Sequence, residues 1–355
     1  MPLISSQFQA IVFRNCLTRA GPRVRSCNNY SGGLRPLVWL HCRDRPFSSS
    51  RYSAAVSSEP STTQKDAVKQ TGAEIPSVKE KLPNPERTPF RFREFDLEGK
   101  VFVVTGGARG LGLVLAEALI EAGGQVYCLD RLPEPDQEFY TVQERLGPKY
   151  GGSLKYDRVD VSEAANLDRI IGDIATAHGR LDGLIAAAGV QNVTPALEYP
   201  PEKIDEMMGI NYKGVYLSAV SCARQMIKHK CSGSILLVGS MSGMVANKGF
   251  TSSVYNSSKA AVCQLTRSLA MEWGKIVDGK PIRVNALCPG NIMTPMVRKN
   301  FEDDPELRAL WEKENMLGRI SEPAEYRGAA LFCLSDASSF MTGTNLVIDG
   351  GYTAW

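Results

Sequence analysis

Apolar runs alternate with amphipathic stretches along the chain from Gly99 onward. The apolar runs are short and nearly continuous, which is typical of strands in a parallel sheet that is covered on both faces. The stretches between them repeat apolar residues every three or four positions, which predicts helices. The predicted strands are 101–105, 125–130, 154–161, 181–187, 234–240, 282–288 and 345–349. The predicted helices are 110–122, 163–178, 201–230, 252–275 and 322–335.

This alternation predicts an α/β fold, a doubly wound parallel sheet of the Rossmann type. The alternating region, 96–355, has a length that suits one domain. We therefore expect a single catalytic domain that is preceded by an N-terminal extension.

The first 58 residues differ in composition from the rest of the chain. They contain eight Arg, no Lys and one acid, Asp44, for a net charge of +7; the whole chain carries +3, so residues 59–355 carry −4. A leader rich in Arg and Ser and poor in acids is typical of a mitochondrial transit peptide. We expect residues 1–50 to be such a peptide and the protein to lie in the mitochondrial matrix. A cytosolic tail on a cytoplasmic protein is the alternative.

Residues 51–95 have a third composition. Five prolines are interspersed with Lys, Glu, Ser and Thr, and no hydrophobic period is visible. Such a segment cannot bury enough apolar surface to fold alone. It is predicted to be a flexible linker or a strap along the surface.

The overall composition excludes several classes of protein. It is 43% hydrophobic and 22% charged, and no apolar run reaches the roughly 18 residues that a membrane span needs. The positive charge lies in the leader, so it gives no reason to expect nucleic-acid binding. The nine Cys are scattered without a Cys-x-x-Cys pair, and there are three His, so no metal site is expected.

A glycine-rich turn, TGGARGLG at 105–112, joins the first predicted strand to the first predicted helix. Glycines keep such a turn tight and let the backbone approach a pyrophosphate. The helix that follows directs its free N–H groups and positive dipole end at the phosphates. The turn therefore predicts dinucleotide binding.

The second predicted strand ends at Asp130, about 20 residues beyond the glycines. A carboxylate there can bind both hydroxyls of an adenosine ribose and repels a 2′-phosphate. Arg109 and Arg131 are placed where a cation could instead hold that phosphate. We expect NAD, and NADP is the alternative.

Tyr255 and Lys259 are four residues apart on a predicted helix, so their side chains share one face. An ammonium beside a phenol favours the phenolate and is expected to lower the pKa of Tyr255. That would make Tyr255 an acid or base that operates near neutral pH.

Together these motifs resemble the short-chain dehydrogenase/reductase family over about 95–355. The shared features are the glycine-rich turn, Asp160-Val161 after the third strand, Asn211 in the long helix, the Tyr-x-x-x-Lys pair, CPGNIMT at 288–294 and IDGG at 348–351. The resemblance implies an NAD(P)-dependent enzyme that interconverts a secondary alcohol and a ketone.

The resemblance also implies a role for each matching residue. Tyr255 would be the acid/base, Lys259 would bind the nicotinamide ribose, a Ser would bind the substrate oxygen, and Asn211 would hold a proton-relay water. Tyr255 and Lys259 would also contact the cofactor. The other cofactor-binding residues would be Gly106, Arg109, Gly110, Leu111, Gly112, Asp130, Arg131, Asp160, Val161, Ala188, Gly189, Pro289, Gly290, Ile292 and Thr294.

The identity of the catalytic Ser is open between two residues. Counting back 13 positions from Tyr255 gives Ser242, whereas aligning on the end of the strand and on Gly243 gives Ser240. We favour Ser240 because the strand end is more firmly placed than a loop of variable length. Ser240, Ser242 and Tyr255 are all expected to contact substrate.

The chain departs from the family pattern at the end of the fourth strand. Ala186-Ala187-Ala188-Gly189 stands where the family usually has Asn-Asn-Ala-Gly. The missing Asn side chain would normally brace this part of the cofactor channel. The small residues at 188 and 189 still leave room for the adenosine.

The strings AAAGVQ at 186–191 and DGGYTAW at 349–355 look most like fungal members that interconvert polyols and ketoses of the mannitol, arabinitol or sorbose type. A mitochondrial 3-oxoacyl thioester reductase and a ketoreductase of secondary metabolism are the enzymatic alternatives. A catalytically silent nucleotide-binding regulator is the non-enzymatic one. The segment 291–318 resembles the family's mobile substrate-covering loop and helix. The resemblance further implies a homotetramer or homodimer paired through the two long helices.

Overall fold

The computed structural model of the chain describes residues 92–275 and 280–355. The predicted leader, 1–50, and all but the end of the predicted linker, 51–95, lie outside the described residues. At that end, Arg93–Phe95 form one 3-10 turn, so local structure begins slightly before the predicted boundary. Leu97 is fully buried and is the first residue of the core.

Seven parallel strands form one sheet in the order β3-β2-β1-β4-β5-β6-β7. This confirms the doubly wound sheet, since the strand order reverses between β1 and β4. The strands are β1 Val101–Thr105, β2 Gln125–Asp130, β3 Ser153–Arg158, β4 Gly183–Ala186, β5 Gly233–Val238, β6 Ile282–Pro289 and β7 Asn345–Ile348.

Helices cover both faces of this sheet. They are α1 Gly110–Glu121, α2 Gln137–Tyr150, α3 Ala164–His178, α4 Pro201–Met208, α5 Val215–Lys228, α6 Ser253–Trp273, α7 Pro295–Asp303, α8 Glu306–Lys313 and α9 Arg327–Leu334. A 3-10 turn, Pro323–Tyr326, precedes α9 within the predicted helix 322–335.

The sequence analysis missed α2 altogether. Its apolar residues Phe139, Val142 and Leu146 are spaced three and four apart and are buried, which is a helical signal. Pro133 and Pro135 just before the helix and the pair Gly147-Pro148 inside it obscured that signal.

The predicted helix 201–230 is present but is not uniform. A π-helical segment, Gly209–Gly214, separates α4 from α5. Such segments widen the turn and redirect side chains, and they often occur at functional sites. Asn211 lies inside this segment and is fully buried.

Alternate residues of the central strands supply two separate cores. Val101 and Val103 of β1 pack toward one face, where residues of α3, α5 and α6 cover them. Phe102 and Val104 pack toward the other, under α1, α2 and α9. A strand that is buried on both faces needs apolar residues at every position, which explains the continuous apolar runs. Both cores anchor the strands whose carboxyl ends carry the site.

The described helices include none that is long and apolar enough to cross a bilayer. Within residues 92–275 and 280–355, no group of three or more His, Cys, Asp or Glu side chains is arranged to hold a metal ion.

Candidate active site

The loops at the carboxyl ends of the strands enclose a cleft of about 770 Å³. In open α/β sheets this edge is where ligands bind. Every predicted site residue lines the cleft except Asn211, whose neighbour Ile210 does so. The fold thus brings together residues that are spread over nearly 190 positions of the chain.

The glycine-rich turn packs directly against the end of β4. A Cβ atom on Gly106 would lie 2.7 Å from the Cα of Ala188, and one on Gly112 would collide with the carbonyl oxygen of Gly106. Gly106 and Gly110 have φ of +70° and +58°, in the left-handed region that favours glycine. The tight turn and the amino end of α1 form a cradle that fits a dinucleotide pyrophosphate.

Asp130 lies at the end of β2, at the expected ribose position. Its Oδ2 accepts a hydrogen bond from the N–H of Ala108 at 3.3 Å, and its Oδ1 accepts one from the N–H of Leu132 at 3.2 Å. The carboxylate therefore also holds the glycine-rich turn to the loop after β2. This orients it along the rim of the cleft.

Two cations lie at the same end of the cleft. The Nη1 of Arg109 is 4.0 Å from Asp136, and the Arg109 side chain is 53% exposed. Arg131 is exposed, and its backbone carbonyl accepts a hydrogen bond from the Nε of Arg158. The adenosine end thus has one acid, Asp130, and two exposed cations, Arg109 and Arg131, whose side chains can change position. These residues fit NAD(P).

The loop after β3 supplies Asp160 and Val161 to the wall of the cleft. Asp160 accepts hydrogen bonds from the hydroxyl and the N–H of Ser162 at 2.7 and 2.9 Å. Both bonds lower the pKa of Asp160, the hydroxyl bond more than the backbone bond. Asp160 is therefore ionised at neutral pH. Val161 is buried against Gly214 of the π-helical segment.

Asn211 braces the loop after β4. Its Oδ1 accepts the N–H of Val190 at 2.8 Å, and its Nδ2 donates to the Val190 carbonyl at 2.9 Å and to the Ser258 hydroxyl at 3.1 Å. The side chain thus supplies bracing at the point where the chain lacks the family's usual Asn. The role predicted for Asn211 in holding a relay water stays a prediction.

Ser240, Tyr255 and Lys259 meet at the centre of the cleft. Tyr255 and Lys259 share one face of α6, and the Nζ of Lys259 is 5.7 Å from the centroid of the Tyr255 ring. The same Nζ donates a hydrogen bond to the carbonyl of Val238, the last residue of β5, at 2.9 Å. Lys259 is 5% exposed, so this bond joins helix to strand in a dry environment.

The prediction that Lys259 lowers the pKa of Tyr255 is wrong for the folded chain. Burial raises the pKa of Tyr255 to about 12, and a hydrogen bond with Ser240 offsets this in part. Burial also lowers the pKa of Lys259 to about 8, because it penalises the ammonium. Desolvation dominates since the Lys259 Nζ is directed at Val238 rather than at the phenol oxygen. Tyr255 therefore keeps its proton at neutral pH and is poised as a proton donor.

The two candidate serines occupy different positions. Ser240 follows β5 and lies close enough to Tyr255 to lower the pKa of its phenol. Ser242 lies in the next turn, and its N–H donates to the Ser240 Oγ at 3.1 Å. Ser240 therefore stands beside the phenol with its oxygen oriented by the backbone, whereas Ser242 lines the cleft from one turn away.

The loop after β6 supplies Pro289, Gly290, Ile292 and Thr294. Gly290 has no room for a side chain, because a Cβ atom would lie 2.7 Å from the Cα of Asp349. Thr294 caps α7, since its Oγ1 accepts the N–H of Val297 at 3.4 Å. This cap fixes where the lid helices leave the body.

The lid predicted at 291–318 consists of α7 and α8. Trp311 of α8 is buried and makes edge-to-face contacts with Phe250 and Phe301, with ring centroids 5.3 and 5.4 Å apart. The Nδ2 of Asn300 donates to the Oε1 of Gln191 at 3.0 Å and so ties α7 to the loop after β4. Gln191, Asn247 and Asn300 were not predicted from the sequence, since an isolated amide in a loop or on a short helix belongs to no motif.

A second feature that sequence reasoning missed is a pair of buried thiols behind Ser240. The sulfurs of Cys263 on α6 and Cys288 on β6 are 3.7 Å apart. The hydrogen bond between the two thiols lowers the pKa of Cys263 and raises that of Cys288. Only the spacing of Cys263 four residues after Lys259 hinted at this position.

Replacing Lys259 with Met should change how stability depends on pH. A base whose pKa falls from 10.5 to about 8 on folding destabilises the native state below pH 8. The size of that cost is about 3 kcal/mol, and it disappears as pH rises from 8 to 10.5. We therefore measure the free energy of unfolding of wild type and of Lys259→Met in urea. The wild-type value minus the Lys259→Met value should rise by about 3 kcal/mol between pH 7 and pH 11.

The exposed Lys228 provides a matched control, since Lys228→Met should leave this pH dependence unchanged. The lost bond to Val238 contributes at both pH values, so the test rests on the change between them. A wild-type advantage that is constant or shrinks with rising pH would contradict the account of Lys259.

Comparison with known proteins agrees with this geometry. A family model described as enoyl-(acyl carrier protein) reductase matches residues 106–353. A short-chain dehydrogenase/reductase notP' of Aspergillus versicolor is 40% identical and covers 74% of this chain and 89% of its own length. The ribulose-forming D-arabinitol 2-dehydrogenase of Candida albicans is 36% identical, with coverages of 74% and 95%. An NADH-dependent L-xylulose reductase of Ambrosiozyma monospora is 34% identical, with coverages of 74% and 97%.

A solved structure shares both the fold and part of the sequence. The gluconate 5-dehydrogenase of Burkholderia cenocepacia, in complex with NADP and tartrate, aligns with a TM-score of 0.66 and 31% identity, covering 74% of this chain and 98% of its own. The residues that the family model matches include those that line the cleft. The chain belongs to the short-chain dehydrogenase/reductase family.

Proposed function

We propose that the protein is an NAD(P)-dependent oxidoreductase that interconverts a polyol and its ketose. The observation that carries the proposal is the placement of Ser240, Tyr255 and Lys259 at the meeting point of a dinucleotide cradle and a partly polar pocket. The polyol part rests on that pocket and on the named substrates of the relatives.

NAD(P), when bound, accepts or donates a hydride at the carbinol carbon. The Tyr255 phenol would give its proton to the carbonyl oxygen during reduction, and its phenolate form would accept the proton of the alcohol during oxidation. The Ser240 hydroxyl stabilises the charge that develops on the same oxygen.

Lys259 suits the task of replacing the proton that Tyr255 gives up. With a pKa of about 8, its ammonium can lose and regain a proton close to neutral pH. The Nζ also lies near the space beside Gly189, where a Cβ would be 3.6 Å away. A cation at that point can bind a ribose hydroxyl of the cofactor.

The substrate end of the cleft combines amides with an apolar wall. Gln191, Ser242 and Asn247 supply polar groups, and Phe250 and Trp311 supply aromatic surface. Such a lining can pair the hydroxyls of a polyol while packing on its carbon chain. This favours polyols over the long acyl chain of a thioester, which needs a more uniformly apolar channel.

We further propose that NAD is used in preference to NADP. Asp130 lies on the rim where the adenosine ribose would bind, and two backbone N–H groups fix its orientation. A carboxylate so placed accepts both ribose hydroxyls and repels a 2′-phosphate. The NADH dependence of the L-xylulose reductase relative supports this choice.

Ser240 and Ser242 should differ sharply in their effect on turnover. Ser240→Ala removes the hydroxyl beside Tyr255 and should lower kcat by about 100-fold or more, as loss of an oxyanion donor does. Ser242→Ala should lower it less than about tenfold. Steady-state kinetics with D-arabinitol, with Kd for NADH as a folding control, measures both. An equal loss of kcat in the two variants would contradict the assignment of Ser240 as the catalytic Ser.

A substrate panel tests the proposed function directly. The purified protein is assayed with D-arabinitol, galactitol, D-ribulose and acetoacetyl thioester, each with the NAD and the NADP form of the cofactor. We expect polyol oxidation and ketose reduction, with kcat/KM at least about tenfold higher for NAD, since charge repulsion of this kind is worth about 1.4 kcal/mol or more. Turnover of the thioester alone would replace the proposal, and no change in nicotinamide absorbance with any substrate would refute it.

We also propose that the working form is an imported, processed homo-oligomer. The Arg-rich, acid-poor composition of residues 1–50 supports import. Exposed apolar side chains on the two long helices, Tyr216 and Ile227 of α5 and Met271 of α6, support pairing of subunits. Protein isolated from its native cells should show an N-terminus near residue 50 and a mass of two or four chains by light scattering. An intact Met1 would refute import with processing, and a monomeric mass would refute the homo-oligomer.

A further inference from the structure

Gln191 has a side-chain amide of which one end is paired and the other is free. The residue lies in the loop after β4, is half-buried and lines the cleft. Its Oε1 accepts a hydrogen bond from the Nδ2 of Asn300 on α7 at 3.0 Å. Within residues 92–275 and 280–355 its Nε2 makes no hydrogen bond, and this nitrogen is not among the buried side-chain atoms that lack a partner. The Nε2 is therefore accessible, and a ligand in the cleft can reach it.

The loop that carries Gln191 is held beside the reacting groups. Asn211 binds both the N–H and the carbonyl of Val190, the preceding residue, at 2.8 and 2.9 Å. One residue earlier, a Cβ atom on Gly189 would lie 3.6 Å from the Nζ of Lys259. Two residues of chain span at most about 7 Å, so Gln191 follows closely on the position beside Lys259. A substrate of several carbons that is held at the catalytic residues can therefore extend to this amide.

Asn300 sets the direction of this amide from outside the cleft. It is half-buried on the lid helix α7 and does not itself line the cleft. The Oγ1 of Thr294 caps the first turn of the same helix, which holds α7 in place. Because the bond from Asn300 occupies the oxygen of the Gln191 amide, the nitrogen is left for another partner. The position of that nitrogen therefore depends on the lid.

The free end of the Gln191 amide is suited to an oxygen of the substrate. A primary amide nitrogen donates two hydrogen bonds and accepts none, so it needs a lone pair. In the proposed mechanism the reacting oxygen is bound by Ser240 and Tyr255, so the oxygen that meets Gln191 is a different one. Every carbon of a polyol carries such an oxygen. We propose that the Nε2 of Gln191 donates to a hydroxyl that is not on the reacting carbon, and that Asn300 is the positioning residue that directs this bond.

This inference rests on the proposed function and is tested by removing the donor in two ways. Gln191→Met keeps the length of the side chain without its amide, and Gln191→Glu keeps an acceptor for Asn300 without the N–H donors. Each should raise KM for D-ribulose by about tenfold and change kcat by less than about threefold, as the loss of one substrate hydrogen bond predicts. 2-Pentanone has the same five-carbon skeleton without hydroxyls, so its kcat/KM should change by less than about threefold in Gln191→Met.

A double-mutant cycle tests whether Asn300 acts through Gln191. Asn300→Leu alone should raise KM for D-ribulose by about threefold, because Gln191 keeps its donors but loses the bond that orients them. In the Gln191→Met background the same change should raise KM by less than about 1.5-fold, since no amide is left to orient. An equal rise in both backgrounds would show that Asn300 only stabilises the lid, and it would overturn the positioning role.

Two measurements separate recognition of the substrate from folding. The Kd for NADH should stay within about twofold of wild type in every variant, because the dinucleotide cradle is unchanged. Gln143→Met is the matched control, because it makes the same substitution on α2 at a residue that does not line the cleft. It should leave KM for D-ribulose unchanged.

The possible failures are distinguishable. If both Gln191 variants keep the wild-type KM for D-ribulose, the inference falls and the proposed function stands. If Gln191→Met lowers kcat/KM equally for D-ribulose and 2-pentanone, or weakens NADH binding to the same extent, the residue is structural and the inference also falls. If wild type turns over no polyol and no ketose, the proposed function falls and takes this inference with it.

Discussion

The burial of Lys259 is the constraint on which the rest of the site depends. A single hydrogen bond from its Nζ to the Val238 carbonyl joins α6 to the end of β5. That bond places Tyr255, one turn earlier on the same helix, beside Ser240, which directly follows the strand. The dry surroundings that make the arrangement rigid also set its chemistry, because they weaken the ammonium and strengthen the hold of Tyr255 on its proton. The burial of Lys259 thus accounts both for the position of Tyr255 and for the protonation states of the two side chains.

Packing on both faces of the sheet keeps the carboxyl ends of its strands in place. Two apolar cores of similar extent clamp β1, β4, β5 and β6 from opposite faces. The lid has its own small core, built on Leu307, Trp311 and Ile320 and separate from the other two. Phe250, from the loop before α6, packs against this small core, so the lid is joined to the body by an aromatic contact as well as by the bond between Asn300 and Gln191.

Much of the architecture could be predicted from the sequence because it rests on repeating patterns. The strands, the glycine-rich turn and the shared face of Tyr255 and Lys259 all follow from local spacing. What could not be predicted depends on burial in three dimensions. The pKa of Tyr255 has the opposite shift from the expected one, since no spacing reports how much water reaches a helix face. The missed α2 is a different case, in which prolines masked a pattern that was present.

The π-helical segment between α4 and α5 has a consequence for how this chain can change in length. A π turn accommodates one more residue than a regular turn, so removing one residue from 209–214 would restore an ordinary α-helix. Because the wide turn absorbs the extra residue, α4 and α5 would keep their faces after such a deletion, whereas the residues inside the segment, Asn211 among them, would be repositioned. The helix would gain regularity while Asn211 left the Val190 loop that it braces. In this stretch the number of residues is therefore constrained as well as their identity, because the position of Asn211 depends on the wide turn.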